Sequence, residues 1–349
     1  MMHVVTPYGR RGPSSRVRVY EWLDRVAEPT VLSDYVSHHN ASPTAIARHP
    51  IVLLNAEHRL RRMADQRPER LLLHREASPL SRGAMERRLI ASSSFSVYDF
   101  DDALQCDWGA GGVLRRLAPK APKAQIAAAT ADRVIAGNPV LAEWAATQNR
   151  DVVVIPSCVA PEAYGRKTDY QLSDPPRLGW IGSAGNERYL AEVGPALLEV
   201  HRRTGARLTL VGTTRPTLGP LETMVDRVAW SEDVQHAVLR TLDIGLAPVP
   251  DNPYTRGKCG YKILQYAAVG LPAVASPVGV NGPILAELGL PAARGPDDWT
   301  DAVIALIESS AETRAVQGGR ARDAAIAHYS YDAWLPKWAV AVGLPAPAR

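Results

Sequence analysis

Two lysines and a glutamine recur near residue 260 at a spacing that could hold a charged ligand. Lys258, Lys262 and Gln265 lie in the run RGKCGYKILQYAAVGLPAVASPVGVN, from Arg256 to Asn281. On a helix of 3.6 residues per turn they would share one narrow stripe. Ile263, Leu264, Ala267 and Ala268 would fall on the opposite side, as a core-facing surface. Gly257 and Gly260 open the run, ahead of its short apolar-periodic part. Gly270 supplies a stop, and Leu271-Pro272 leads into the apolar strand Ala273-Val274-Ala275. Two ammonium groups and an amide would then meet at the start of a helix, where free N–H groups and the positive dipole end favour a diphosphate. The same spacing also fits an ordinary βα unit with a solvated lysine face. Lys258 could equally stand in the loop, outside helical spacing altogether.

Charged groups also follow strand candidates in the first half of the chain. His3 to Pro7 reads as a first strand, and Arg16 to Val26 has helical spacing with Ser15 as a plausible cap. Between them Tyr8 to Ser15 is a loop in which Arg11 and Gly12 suit close approach of backbone to a ligand. Ile51 to Leu54, Leu71 to Leu73 and Val97-Tyr98 are further short apolar runs of the kind found in parallel sheets. His74-Arg75-Glu76 and Asp99-Phe100-Asp101-Asp102 come just after the last two. In open α/β sheets that carboxyl edge is where ligands bind. The aspartates admit three readings: a carboxylate metal site, a cluster of helix caps and structural hydrogen bonds, or contacts from Asp99 or Asp101 to an acceptor hydroxyl. The cap reading is the plainer one; the hydroxyl contact is its functional counterpart.

The elements that must position these groups alternate. Ala131 to Ala136 leads to Asn138 as a cap with Pro139 at the first helical position, and Val152 to Ile155 is another strand. Arg166 to Pro176, polar and proline-tipped, reads as a domain boundary. Leu178 to Gly182 is then a strand, Ser183 to Arg188 a loop and Tyr189 to His201 a helix. Arg207 to Gly212 and Thr241 to Pro250 continue the alternation as a second Rossmann-like pattern. Asp297 to Ala327 is helical, and Trp334, Leu335 and Trp338 have the spacing of one buried helix face.

At 349 residues the chain is too long for one ordinary core, and two domains are expected. Cys106, Cys158 and Cys259 have no paired spacing, which argues against a disulfide framework and for a reducing compartment. No apolar run approaches the length of a membrane span, so the expectation is a soluble, cytoplasmic protein. The net charge of +4 sits wholly in residues 1–165, and nine arginines lie between Arg59 and Arg88. A solubilising surface accounts for most of them. The sharper reading is attraction to an anionic or phosphorylated acceptor, or peripheral contact with a membrane. Nucleic acid is not expected, since no binding module is recognisable. G-x-G-x-x-G, the P-loop, G-x-S-x-G and H-E-x-x-H are all absent, and no solenoid repeat is apparent.

The run Gly260-Tyr261, Gly270-Leu271-Pro272 and Ala273 to Ser276 resembles the donor-binding segment of retaining GT-B glycosyltransferases, family 4 (glycosyltransferase group 1). The family carries a glutamate pair eight residues apart; Gly257 and Gln265 occupy those positions here. An amide at 265 keeps hydrogen bonding to a ribose diol without the charge. The likeness is most specific from Gly179 to Asn281 and looser elsewhere. It implies two Rossmann-like domains facing each other across a cleft: residues 1–165 on the acceptor side, 166–328 on the donor side, and a 329–349 helix crossing back. It implies transfer of sugar from a nucleotide-diphosphate sugar, with no cofactor and no metal, and with retention of configuration. Lys262 and Arg188 would then neutralise the leaving diphosphate. Gly182, Ser183, Trp230, Lys258, Cys259, Gly260, Tyr261 and Gln265 would line the donor, and Arg11, Gly12, Arg75, Asp99 and Asp101 the acceptor. Two alternatives go with it: a sugar-nucleotide epimerase using His74, Glu76 and Asp99, or an inactive nucleotide-binding protein.

Overall fold

Short runs rich in Val, Leu and Ile form the inner parallel strands, buried on both faces because helices cover each side of the sheets they build. The computed structural model describes residues 1–36, 50–107 and 116–346. The chain divides into two compact units. The first comprises Met1–Cys158, Arg256–Cys259 and Trp334–Arg349, and the second Val159–Thr255 and Gly260–Ala333. The expected boundaries stood instead at 165/166 and 328/329. The short detour through residues 256 to 259 had no signal in the sequence.

In the first unit the strands are β1 (Met2–Tyr8), β2 (Thr30–Val36), β3 (Arg70–His74), β4 (Phe95–Phe100), β5 (Arg133–Ala136) and β6 (Val152–Val154). They lie in the order β2-β1-β3-β4-β5-β6, all parallel. Two expectations need correction. Ile51 to Leu54 is not a strand but the first turn of the helix Pro50–Asp65, and the strand beside β1 is Thr30–Val36. The helix is anchored by Ala56, Leu60, Met63 and Ala64, and Ile51 and Leu54 stay 71% and 70% exposed. A four-residue apolar run cannot by itself distinguish the two structures. The first helix also begins earlier than expected: Gly12 is its cap and Pro13 its first residue, so Ser15 is buried inside it. It continues through a π-helical stretch at Arg16–Tyr20 to Leu23. Asn138 caps the helix Pro139–Ala146, its side chain accepting from Leu141 N–H as expected. Trp338, from the returning C-terminal helix, stacks on Trp22 with ring centroids 5.3 Å apart and planes 6° from parallel.

The second unit is built on β7 (Arg177–Ile181), β8 (Arg207–Gly212), β9 (Val225–Ala229), β10 (Ile244–Ala247) and β11 (Ala273–Ala275). Their order is β11-β10-β7-β8-β9, again parallel throughout. The helix expected from Tyr189 to His201 is two, Arg188–Glu192 and Gly194–Thr204, because Gly194-Pro195 restarts it. Helix Tyr261–Val269 follows β10 and packs against helix Ala311–Tyr329. At that contact a Cβ on Gly318 would sit 2.0 Å from the Gly270 carbonyl oxygen, so only glycine fits. Each unit is Rossmann-like: a parallel sheet with helical crossovers.

Candidate active site

In the second unit, the loop after β7 and the first turn of helix Tyr261–Val269 converge. Gly260 caps that helix at φ +66°, a conformation glycine adopts without strain. Lys262 is half-buried, and its Nζ lies 4.9 Å from the centre of the Trp180 ring. Its Cε would stand 3.1 Å from a Cβ on Gly182, and Trp180 would clash with that atom at 2.4 Å. Residue 182 therefore has to be glycine for the lysine to pass along this loop. Ser183 and Arg188 are exposed on the same segment. Arg188 lies over the Tyr189 ring at 5.3 Å, and its hydrogen bond to Tyr189 holds the guanidinium above its ordinary pKa. This loop and helix start bring two cations to the carboxyl edge of one sheet.

The expected lysine–glutamine stripe does not form. The helix begins at Tyr261, so Lys258 lies outside its spacing. Gln265 is buried along with every residue from Ile263 to Val269, since this helix is covered on more than one side. The Gln265 amide donates to Tyr164 Oη at 3.1 Å, and the Tyr164 hydroxyl lies 3.3 Å from that of Tyr261. Trp230 is half-buried, with its ring against the core and its N–H donated to Gln235 Oε1 at 3.0 Å. Sequence reasoning missed the brace beneath these loops. Arg227 Nη1 donates to the buried Glu187 at 3.1 Å and Nη2 to Glu222 at 2.6 Å. The hydrogen bond from Arg227 holds Glu222 down at about 2. Glu187 and Arg227 flank residues that had been singled out, but nothing in their spacing marked them as a pair.

In the first unit, the loop after β1 and the ends of β3 and β4 carry one continuous polar network. Gly12 N–H donates to the Gly9 carbonyl at 2.8 Å, and a Cβ on Gly12 would lie 2.5 Å from that of Tyr8. Arg11 is exposed. Ser14 Oγ lies 2.8 Å from His74 Nε2 and donates to the Asp101 carboxylate at 2.9 Å. His74 Nδ1 is 2.8 Å from Asp99 Oδ1. Arg75 takes φ +61°, held by its N–H to the Asp99 carbonyl and by Tyr98 Oη on its own carbonyl. From there it donates to Asp101 at 2.6 Å and also to Asp102. Burial alone would raise the Asp101 pKa; Arg75 beside it holds the carboxyl well below the ordinary range.

Asp99 faces inward. It is 1% exposed and paired with Arg18, which is also 1% exposed, at 2.5 Å. The expectation that Asp99 touches an acceptor is therefore corrected, since its oxygens are taken by Arg18 and His74 inside the core. The three aspartates are each bound to cations rather than turned toward a shared centre, and among the described residues no His, Cys, Asp and Glu cluster could hold a metal ion. Arg256–Cys259 belongs to this unit as well. Asn138 Nδ2 donates to the Gly257 carbonyl at 2.9 Å, and Lys258 pairs with Asp102 at 3.6 Å. Cys259 is buried with Sγ 3.3 Å from the Asp101 carbonyl, and burial pushes its thiol up to about 12. A buried neutral thiol presents nothing to a ligand. Ser14 and Arg18 were missed here as partners of the aspartates, and His74 had been set beside Asp99 only in the epimerase alternative. His74 was visible as a polar residue just past a strand, but Arg18 looked like one more helix arginine.

Residues 175–309 match the family described as Glycosyl transferases group 1. Among solved structures, Anabaena HepE in complex with UDP and glucose is similar over 98% of this chain and 99% of its own, with TM-score 0.67 and 12% identity. The fold is GT-B. WaaG, a glycosyltransferase involved in lipopolysaccharide biosynthesis, aligns over 97% of this chain and 98% of its own, with TM-score 0.65 and 14% identity. A mutant S. aureus TarM in complex with fondaparinux, alpha-GlcNAc-glycerol and UDP aligns over 79% of this chain, with TM-score 0.56 and 13% identity. The chain spans only 56% of that TarM chain. A search of curated protein sequences finds no match. The GT-B architecture joins two Rossmann-like domains, and the group 1 match covers most of the second of the two units here, together with residues 256–259 of the first.

Proposed function

We propose that the chain is a glycosyltransferase moving a sugar from a nucleotide-diphosphate sugar to an acceptor hydroxyl, with retention of anomeric configuration and without a metal ion. The observation that carries this is the convergence of Gly182, Gly260 and Lys262, which leaves a cation beside a glycine loop at a helix start. That is favourable ground for a diphosphate. The group 1 match over the same residues supports it. Lys262 and Arg188 would neutralise the charge that grows on the diphosphate as the glycosidic bond breaks, so their interaction strengthens in the transition state. Gly182, Ser183, Gly260 and Tyr261 would lie along the donor, with Trp230 offering the edge of its ring to the base. Lys258, tied to Asp102, is left out of the phosphate set.

Asp101 would receive the acceptor hydroxyl, oriented by Arg75 and Ser14, with Arg11 and Gly12 bordering it. An anionic or phosphorylated acceptor suits the basic surface of this unit. Peripheral contact with an anionic membrane is part of the same proposal. Ile51, Val52 and Leu54 are exposed on helix Pro50–Asp65, whose next two turns expose Arg59, Arg61 and Arg62. Apolar residues next to arginines on one surface helix are the composition of an interfacial helix. No helix among the described residues is long and apolar enough to cross a membrane.

Lys262 provides the test. Lys262→Ala should lower kcat by about 10²–10³, the range for losing one preorganised electrostatic partner. Lys262→Arg should recover part of this and Lys262→Gln little. Single-turnover rates with a panel of nucleotide sugars, read beside melting temperatures, decide it. Parental turnover in the alanine variant, or loss of activity only through unfolding, would remove the assignment.

A further inference from the structure

Trp180 stands on β7, two residues before Gly182, and is 1% exposed. Its ring packs in the core of the second unit with Leu178, Leu190, Leu210 and Leu246. In a close-packed core such a side chain has little freedom to move. The outer edge of the ring nonetheless reaches the loop after the strand. A Cβ on Gly182 would lie 2.7 Å from Trp180 Cζ2 and closer still to Cη2. Lys262 Cε would lie 3.1 Å from the same point, and Lys262 Nζ is 4.9 Å from the ring centre. The lysine stem and the indole therefore share the space that the missing side chain of residue 182 leaves.

What the ring does for the ammonium follows from its chemistry. Lysine carries its charge on a flexible four-carbon stem, and ordering that stem costs rotamer freedom. A tryptophan face attracts a cation through its quadrupole, more strongly than tyrosine or phenylalanine does. A carboxylate would also attract it, but would cancel its charge. Both designs occur in this unit. Arg227 is paired with Glu187 at 3.1 Å and with Glu222 at 2.6 Å, as suits a brace. Lys262 lies over Trp180 and Arg188 over Tyr189, so each cation assigned to the diphosphate is seated on an aromatic ring. A ring seat orders a charge before its anionic ligand arrives, and that lowers the cost of binding.

We propose that Trp180 is a positioning residue for the donor diphosphate: its face holds the Lys262 ammonium in place, and the site thereby distinguishes a nucleoside diphosphate from a monophosphate. Trp180 acts through Lys262 and not by contact with the nucleotide. The proposal rests on the assignment of Lys262 to the diphosphate, and the variants below separate the two.

The test is calorimetry on the full chain with UDP, GDP, ADP and TDP, each beside its monophosphate. The parent should bind one diphosphate roughly tenfold or more tightly than the matching monophosphate. Lys262→Ala should remove most of that ratio. Trp180→Leu should lower it about 3- to 30-fold, the range for a cation–π contact, and leave monophosphate affinity nearly unchanged. Trp180→Phe should restore part of it. Lys262→Ala made on Trp180→Leu should cost less than in the parent, because both changes act on one contact. Gly182→Ala adds a methyl between ring edge and lysine stem, and should lower the ratio with Trp180 still present. Melting temperatures show which variants are folded, and Trp180→Phe and Gly182→Ala decide the matter if Trp180→Leu is not. A parental ratio in the folded Trp180 and Gly182 variants overturns the proposal. So does an equal loss of monophosphate and diphosphate affinity, or strict additivity with Lys262→Ala. A loss in Lys262→Ala without one in Trp180→Leu removes this proposal alone. If Lys262→Ala keeps the parental ratio, or no nucleotide binds the parent, the diphosphate assignment falls and the role of Trp180 falls with it.

Discussion

Replacing Asp99 by asparagine separates structure from chemistry in the first unit. The side chain keeps its shape and loses its charge. Arg18, 1% exposed, would then keep its bond to the Ile155 carbonyl at 2.8 Å but lose the carboxylate that Nε and Nη2 share. At an effective dielectric of about 20, charges roughly 4 Å apart attract by about 4 kcal/mol. Breaking one partner of a buried pair costs about 3–5 kcal/mol, because the other charge stays buried. For a unit of this size that lowers Tm by roughly 10 °C. Burial would raise the Asp99 carboxyl, but Arg18 and His74 hold it below its ordinary 3.8. A carboxyl depressed on folding stabilises fully above its unfolded pKa, and that contribution fades as pH falls through the folded value. The gap between parent and Asp99→Asn should therefore be widest near neutrality and narrow in acid below pH 3.8. Urea melts followed by circular dichroism across pH measure it, with turnover assayed well below both melting points. The double variant Arg18→Met with Asp99→Leu should regain most of the stability. An Asp99→Asn protein with parental Tm and abolished turnover would refute this reasoning and return Asp99 to the reacting groups.

Further outcomes are expected elsewhere. Gln265→Ala should cost about 1–3 kcal/mol of stability by removing the donor to Tyr164 within a buried helix. Nucleotide affinity measured by calorimetry should change by less than the stability does, and the reverse order would put Gln265 in the site. Trp338→Ala should cost about 3–5 kcal/mol, through the lost stack on Trp22 and the cavity left behind; denaturant melts report it. Sedimentation with anionic vesicles should retain the protein at low salt and release it at high salt. Ile51→Ser with Leu54→Ser, both exposed, should weaken retention without shifting Tm; equal retention by neutral vesicles would count against the basic surface.

The sequence shows the alternation of strands and helices more plainly than the partnerships between side chains. Gly260, Gly270 and Pro272 punctuate the helix Tyr261–Val269 unambiguously, since left-handed caps have few solutions besides glycine. Lys262 could be placed from that punctuation. Gln265 could not, because a helical stripe tells which residues share a face but not how many faces are covered. Ile51 to Leu54 misled for a related reason: four apolar residues carry no period. The link from Arg18 to Asp99 joins residues 81 positions apart, and only the packed sheet brings them together. Arg75 was read as an acceptor contact just past a strand end, and its left-handed backbone turns it onto Asp101 and Asp102.

The first unit is assembled from three separate stretches of chain, and this has a consequence for the order in which it can be made. During synthesis Trp22 leaves the ribosome early, but its stacking partner Trp338 follows only after the whole second unit has been translated. At about 5–20 residues per second, that interval lasts on the order of ten seconds or more. Asn138 likewise waits for the Gly257 carbonyl. The second unit, once residue 333 is out, has its whole sheet and all its helices in hand. Although it starts later, the second half is thus the first able to close its core. The first half, left with an uncovered tryptophan, is the part that would need shelter from aggregation on the nascent chain.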